Sequence, residues 1–229
     1  MKIEKVTIFS SQIEKQYQFY CDQLRLSCIE KDDNFFCIKV GSSLLQIQKN
    51  NEDVRSGYHL AFNIEPSLYL EAASFLQGQQ IQLLESENKV LIDFPDWKAR
   101  SIYFRDAEQN ILEYIARYNL PHHQYDRLFG AGDILCISEI GVPVNEPKEF
   151  ISSIKSNTEI EIWKSYGQSF NAMGDEEGLL IVVPEKHKWF PTDTLAVQLP
   201  AEISINQEGK NFDYGNLKFM FTNHLYGTE

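Results

Sequence analysis

The sequence repeats one pattern three times: a short β-rich stretch, a polar break, an amphipathic helix and then several strands. The copies begin near residues 6, 58 and 137. In the first copy, large apolar and aromatic side chains recur at the spacing of one helix face, at Ile13, Tyr17, Tyr20 and Leu24. In the third copy, Asn145 and Pro147 are residue types typical of a helix start. We therefore predict an α+β protein built from tandem βαβββ modules.

The C-terminal residues 196–229 differ from the three copies because no helix separates their two strand-like runs, 202–206 and 217–222. An uncovered sheet edge favours aggregation, so we expect this tail to form a β-hairpin that covers the third module. Pro121, Gly130 and Gly132 indicate a linker. We predict paired modules enclosing a cavity over residues 1–118, a linker over 119–133, and a third module with its C-terminal hairpin over 134–229.

The charge balance limits the partners of this chain. It has 229 residues, of which 21 are basic and 33 acidic, giving a net charge of -12. Such a surface repels phosphate backbones and anionic lipid, so neither nucleic acid nor a membrane is expected as a partner. The start of the chain alternates charged and apolar residues and predicts no signal peptide. Four cysteines without CxxC spacing predict free thiols in a reducing compartment. We expect a cytoplasmic monomer or homodimer.

One stretch of the second copy resembles a known family. Residues 102–114 read Ile-Tyr-Phe-Arg-Asp-Ala-Glu-Gln-Asn-Ile-Leu-Glu-Tyr. This run is similar to the final hairpin of a module of the vicinal oxygen chelate superfamily, which includes glyoxalase I, extradiol dioxygenases, and fosfomycin and bleomycin resistance proteins. Ala107 and Gln109 stand where that family usually has Pro and Gly. The resemblance implies two modules whose curved sheets enclose a cavity, where the family usually holds a divalent metal ion.

The resemblance places metal ligands on the first and last strands of each module, at Lys5, Gln46, His59 and Glu113. His59 and Glu113 suit Zn, Ni, Mn or Fe, and Glu113 is also a candidate catalytic base. Lys5 stands where the first ligand belongs, and an ammonium group has no lone pair for a metal. Two interpretations stay open. One is a metal site at His59 and Glu113. The other is a metal-free polar cluster of Lys5, Gln46, His59 and Glu113, in which the Lys5 ammonium takes the charge role of the metal and Lys5 and Gln46 bind a ligand. In a third interpretation, neither His59 nor Glu113 faces a cavity.

Other candidate residues have weaker signals. Trp97 lies on the connection 94–98, which in the family can cover the cavity mouth, so we predict that it contacts a ligand, with core packing as the alternative. The third copy has Glu139 and Ile181 at its first-strand and last-strand positions and no histidine there, so we expect no second metal centre in it. The remaining histidines lack ligand spacing, namely His122, His123, His187 and His224.

Two functions follow from these residues. In the first, the protein is a metal-dependent lyase or ring-cleaving dioxygenase that acts on a small molecule with two vicinal oxygens. In the alternative, a metal-free module binds a drug or a small organic anion, as bleomycin resistance proteins do. A purely structural or partner-binding role is a third hypothesis, based on the third module and the tail.

Overall fold

The computed structural model describes residues 1–50, 57–167 and 169–222. Within these ranges the chain forms two mixed β-sheets of seven and eight strands, with three α-helices and a few short turns of other helix types. The predicted α+β class and the tandem modules are confirmed. None of the helices found in the described ranges is long and apolar enough to cross a membrane. His224 lies outside the described residues.

The first module contains one helix and four strands: β1 (Lys2–Ser10), α1 (Ile13–Tyr17), β2 (Cys28–Lys31), β3 (Phe35–Val40) and β4 (Ser43–Lys49). The helix α1 continues as a π-helix over Gln18–Gln23. As the helical spacing predicts, Tyr20 and Leu24 are fully buried. Strand β1 runs parallel to β4, which brings Lys5 opposite Leu44 and Thr7 opposite Gln46.

The second and third modules repeat this order of elements. The second contains β5 (His59–Ile64), α2 (Tyr69–Gly78), β6 (Ile92–Phe94), β7 (Ala99–Arg105) and β8 (Ile111–Arg117). The third contains β9 (Ile134–Val144), α3 (Pro147–Asn157), β10 (Ile162–Ser165), β11 (Asn171–Asp175) and β12 (Gly178–Pro184). In both modules the first and last strands are parallel neighbours, as in the first module.

The C-terminal segment forms three strands, β13 (Ala201–Asn206), β14 (Phe212–Tyr214) and β15 (Leu217–Phe221). Their arrangement is that of a fourth module without its helix, since β13 lies parallel to β15 and β14 pairs with β15 antiparallel. This differs from the predicted hairpin over the third module, because β13 pairs with β1 of the first module instead. The side chains of Ile203 and Ile205 are completely buried. These alternate apolar residues of β13 therefore pack into the main hydrophobic core of the protein.

The modules share sheets in a different combination from the one expected. The first sheet has the order β14-β15-β13-β1-β4-β3-β2, and the second has the order β10-β11-β12-β9-β5-β8-β7-β6. The first module therefore joins the C-terminal strands, and the second module joins the third. The expected pairing of the first two modules around one cavity is wrong, because β5 pairs antiparallel with β9 of the third module and not with β1. The division into domains at residues 118 and 134 stays a prediction.

Both sheets contribute to one core, which forms between them. Val6 and Ile8 of β1 belong to the same buried cluster as Leu60 and Phe62 of β5. Because successive side chains of a strand point to opposite faces, His59 and Ala61 lie on the other face of the second sheet. A smaller apolar cluster covers that face and includes Tyr103, Ile111, Leu179, Ile181 and Trp189. His59 therefore lies between the second sheet and this smaller apolar cluster.

Candidate metal centre

Three neighbouring strands at the centre of the second sheet bring together one histidine and two glutamates. Ala61 of β5 lies opposite Glu113 of β8 on one side and opposite Glu139 of β9 on the other. His59 precedes Ala61 by two residues and so shares its face. The small side chain of Ala61 leaves room between the two carboxylates. Pairing of the second and third modules thus creates a cluster that neither module contains alone.

The three side chains converge without touching. His59 Nε2 lies 3.7 Å from Glu113 Oε2 and 3.8 Å from Glu139 Oε2. The three candidate ligand atoms all lie within 4.8 Å of one another, and the three residues are buried. These separations are long for direct hydrogen bonds, but they suit donors that surround a common atom. One imidazole nitrogen and two carboxylate oxygens are a donor set for Zn, Ni, Mn or Fe.

Each carboxylate is held by a second contact on its other oxygen. Ser101 Oγ donates a hydrogen bond to Glu113 Oε1 at 2.5 Å. Arg117 Nη2 donates to Glu139 Oε1 in a buried ion pair. Both contacts leave Oε2 directed towards His59. Such supporting bonds are what orients the ligands of a metal centre.

Burial and charge perturb the titration of the cluster. Burial raises the pKa of Glu113, and the neighbouring charge of Glu139 raises it further. Burial by itself lowers the pKa of His59, but the nearby carboxylates of Glu139 and Glu113 outweigh it and raise this pKa above its ordinary value. Two carboxylates beside Arg117 leave one negative charge uncompensated. Either a protonated His59 or a divalent cation would neutralise it.

The cluster lies in the wall of a cavity of about 370 Å³. The remaining wall is mostly apolar and aromatic and comes from the second and third modules, including Phe94, Trp97, Tyr103, Phe170, Ile181, Trp189 and Phe190. The rings of His59 and Trp189 lie 5.0 Å apart. This approach requires Gly141 on β9, because a Cβ there would come within 2.7 Å of the Trp189 ring. The site is thus a polar end in an aromatic pocket of small-molecule size.

Trp97 connects the two modules at this cavity. Its Nε1 donates a hydrogen bond to the Tyr166 hydroxyl at 2.8 Å, and its ring meets the ring of Trp163 edge to face at 5.0 Å. The guanidinium of Arg117 lies over Trp97 at 5.7 Å from the ring centre. Trp97 therefore lines the cavity, and it also packs against the residues that support Glu139.

The structure brings together some of the predicted residues and separates others. His59, Glu113 and Trp97 line one cavity. Lys5 and Gln46 lie on β1 and β4 of the other sheet and are absent from the residues that line this cavity. Their positions are nevertheless equivalent, since Thr7 opposes Gln46 just as Ala61 opposes Glu113. The two pairs occupy matching places in different sheets, so the expected four-residue cluster does not form.

Sequence reasoning missed two residues of the site, Glu139 and Arg117. Glu139 stands at the first-strand position of the third module, but the pattern of that module alone gave no reason to place it beside His59. Arg117 follows Glu113 by four residues and therefore shares its face of β8. The period-2 alternation of Glu113, Ile115 and Arg117 was a sequence signal for Arg117, whereas the approach of Glu139 depends on the pairing of β5 with β9, which the structure alone shows.

The chain is similar in sequence to one known protein and in structure to others. No family model matches the chain. Metallothiol transferase FosB from Staphylococcus saprophyticus is 28% identical over 116 residues, which cover 48% of this chain and 74% of that protein. A proposed dioxygenase from Bacillus subtilis matches in structure with a TM-score of 0.61 and 11% identity, over 90% of this chain and 70% of that one. Lactoylglutathione lyase from Agrobacterium tumefaciens gives a TM-score of 0.42 and 18% identity, over 50% and 92% of the two chains.

Proposed function

We propose that this chain, which has the fold of the vicinal oxygen chelate superfamily, is a metal-dependent enzyme that acts on a small molecule with two vicinal oxygens. The observation that carries the proposal is the convergence of His59 Nε2 and two glutamate oxygens within 4.8 Å of one another at the wall of a cavity. The name of the similar protein from S. saprophyticus, a metallothiol transferase, agrees with metal chemistry at such a site.

His59, Glu113 and Glu139 would hold the ion, with Ser101 and Arg117 fixing the orientation of the two carboxylates. A bound divalent ion acts as a Lewis acid and favours the anionic form of a substrate that chelates it. With two carboxylates and one guanidinium in the same site, the loaded centre has one positive charge in excess. This charge favours an anionic head group on the substrate.

The cavity defines the size and character of that substrate. A volume of about 370 Å³ and a largely aromatic wall favour a compact molecule with an apolar body. Trp189 and Phe170 offer ring faces or edges to such a body. We expect the polar end of the molecule to face His59 and the apolar end to face the loop that carries Trp97. The metal and the substrate together decide whether the reaction is that of a lyase or of a ring-cleaving dioxygenase.

The sequence also predicted Glu113 as a catalytic base. Glu113 would hold an ion through Oε2, which faces His59, while its Oε1 accepts the hydrogen bond from Ser101. Glu113 would therefore be a ligand first. A role as base requires that Oε2 be released from the ion, and this role stays a prediction.

Metal content tests the proposal directly. Protein purified without chelator is analysed for Zn, Ni, Mn and Fe, and the stripped protein is titrated with each ion by calorimetry. We expect about one equivalent of one metal, and at least a tenfold loss of affinity in His59→Ala and in Glu139→Gln. His122→Ala, in an exposed loop, is the matched histidine control. Less than about a tenth of an equivalent, with no binding on titration, would contradict the proposal.

A metal-free binding protein is the second candidate, and a specific observation favours it. His59 lies between Glu113 and Glu139 with its pKa raised, so a protonated His59 together with Arg117 balances both carboxylates. Arg117 thus takes the cationic role that the sequence assigned to Lys5. In that case a small organic ligand binds to the stripped protein with the same affinity as to the metal-loaded protein, and calorimetry on both forms separates the two functions.

A further inference from the structure

A second histidine, His187, lines the same cavity. It follows β12 of the third module, on the segment that also carries Trp189. Its backbone N–H donates to the carbonyl of Pro184 at 3.1 Å, and its own carbonyl accepts from the N–H of Ala196 at 2.7 Å. The imidazole is therefore attached to a hydrogen-bonded segment rather than to a free loop. The sequence alone gave His187 no partner and no role.

The imidazole of His187 is not engaged by any polar group of the described residues. Its neighbours are aromatic rings: the ring of Trp189 lies edge to face at 5.9 Å between centres, and the ring of Phe170 lies at 6.5 Å. Burial lowers its pKa below the ordinary value, so the neutral form is the stable one at neutral pH. A half-buried neutral imidazole with free nitrogens at a cavity wall can accept a proton from a bound molecule.

The other titratable side chains of the cavity are less suited to this role. His59, Glu113 and Glu139 face one another in the cluster. Burial raises the pKa of Tyr103 well above its ordinary value, and the hydroxyl of Tyr166 accepts the hydrogen bond from Trp97. Asp96 also lines the cavity, but its side chain is exposed to solvent rather than enclosed beside the cluster.

Trp189 holds the imidazole of His187 in a defined position relative to His59 of the cluster. Both imidazoles pack against this one indole, His59 at 5.0 Å and His187 at 5.9 Å between ring centres. The indole is held in turn, because its Nε1 donates to the carbonyl of Gly57 at 3.2 Å. A small molecule in this cavity can therefore meet the cluster with one end and His187 with another part, in a geometry set by packing.

We infer that His187 is the proton-transfer residue of this cavity and takes the O–H or C–H proton of a substrate whose oxygens face His59, Glu113 and Glu139. This inference rests on the proposed function. The bond from the substrate to hydrogen breaks, an N–H bond forms on the imidazole, and the electron pair stays on the substrate as an anion that faces the cluster. The imidazolium then returns the proton to the product or to water. No oxidant or reductant takes part in this step.

The test uses 4-nitrocatechol, a vicinal diol whose colour reports its ionisation, and full-length protein loaded with Zn²⁺. Nitrogen-15 NMR of labelled histidines follows the protonation of each imidazole at neutral pH, and His187→Gln assigns the His187 signal. We expect the signal to change from neutral imidazole to imidazolium when the probe binds. We also expect His187→Gln to raise the pH midpoint of ionisation of the bound probe by about one unit or more.

Controls separate this inference from the proposed function. His122→Gln should leave the midpoint unchanged, and His187→Gln should change Zn²⁺ affinity by less than about twofold, because His187 is not a ligand. If native protein binds Zn²⁺ and the ionised probe while His187 stays neutral, the inference is wrong and the proposed function stands. If native protein binds no metal, the proposed function fails and the inference fails with it. The NMR measurement on native protein keeps the result decisive even if His187→Gln folds poorly.

Discussion

The ion pair between Arg117 and Glu139 provides the sharpest test of how charge is balanced in the cluster of His59, Glu113 and Glu139. The Arg117 side chain is only 1% exposed, and it lies over the rings of Trp97 and Trp163. Arg117→Met preserves length and apolar packing but leaves the carboxylate of Glu139 buried without its cation. Loss of one partner of a buried ion pair destabilises a protein by about 3–5 kcal/mol.

The structure favours the lower end of that range. Two donors of Arg117, Nε and Nη1, have no hydrogen-bond partner among the described residues, so its removal also relieves a desolvation cost. We therefore expect Arg117→Met to lower the free energy of unfolding of the metal-free protein by about 3 kcal/mol. The assay is urea unfolding, monitored by tryptophan fluorescence at neutral pH.

Two further measurements make this prediction specific to charge balance. First, the double variant Arg117→Met with Glu139→Gln should be less destabilised than the sum of the single variants, because it no longer buries an unpaired charge. Second, Arg117→Lys keeps a cation beside Glu139 and should lose less stability than Arg117→Met. A loss of stability below about 0.5 kcal/mol, or strict additivity of the two variants, would refute the reasoning.

Three further predictions concern backbone space, the linker and pH. Gly141→Ala places a methyl group against Trp189 and should lower stability by about 1–3 kcal/mol and weaken metal binding, as measured by thermal unfolding and calorimetry. Asp133→Asn removes the 2.5 Å contact with Arg127 that lowers the pKa of Asp133. It should cost about 1 kcal/mol at neutral pH, and the difference from native protein should vanish as the pH falls through that lowered pKa in acid titration of unfolding. The pKa of His59 is raised, so metal binding should release a proton and weaken as the pH falls, which calorimetry in buffers of different ionisation enthalpy measures.

The sequence determined the local structure because its patterns are local. The helix face of the first copy is set by a spacing of three to four residues, and Tyr20 and Leu24 are buried as predicted. Alternation along a strand determines which side chains share a face, and His59 and Glu113 lie on one face of the second module, at the wall of the same cavity. The resemblance of residues 102–114 to a family hairpin identified the fold for the same reason, since a hairpin is formed by neighbours in sequence.

The composition of the site was decided by tertiary structure. A period of two residues specifies the face of a strand but not the strand that pairs with its edge, and four similar first strands offer several antiparallel partners. The core selects the pairs β1 with β13 and β5 with β9. Lys5 is thereby separated from His59, and Glu139 is brought to it across Ala61. The sequence therefore determined the modules and the faces of their strands, whereas long-range strand pairing, which no local pattern encodes, decided which charges meet.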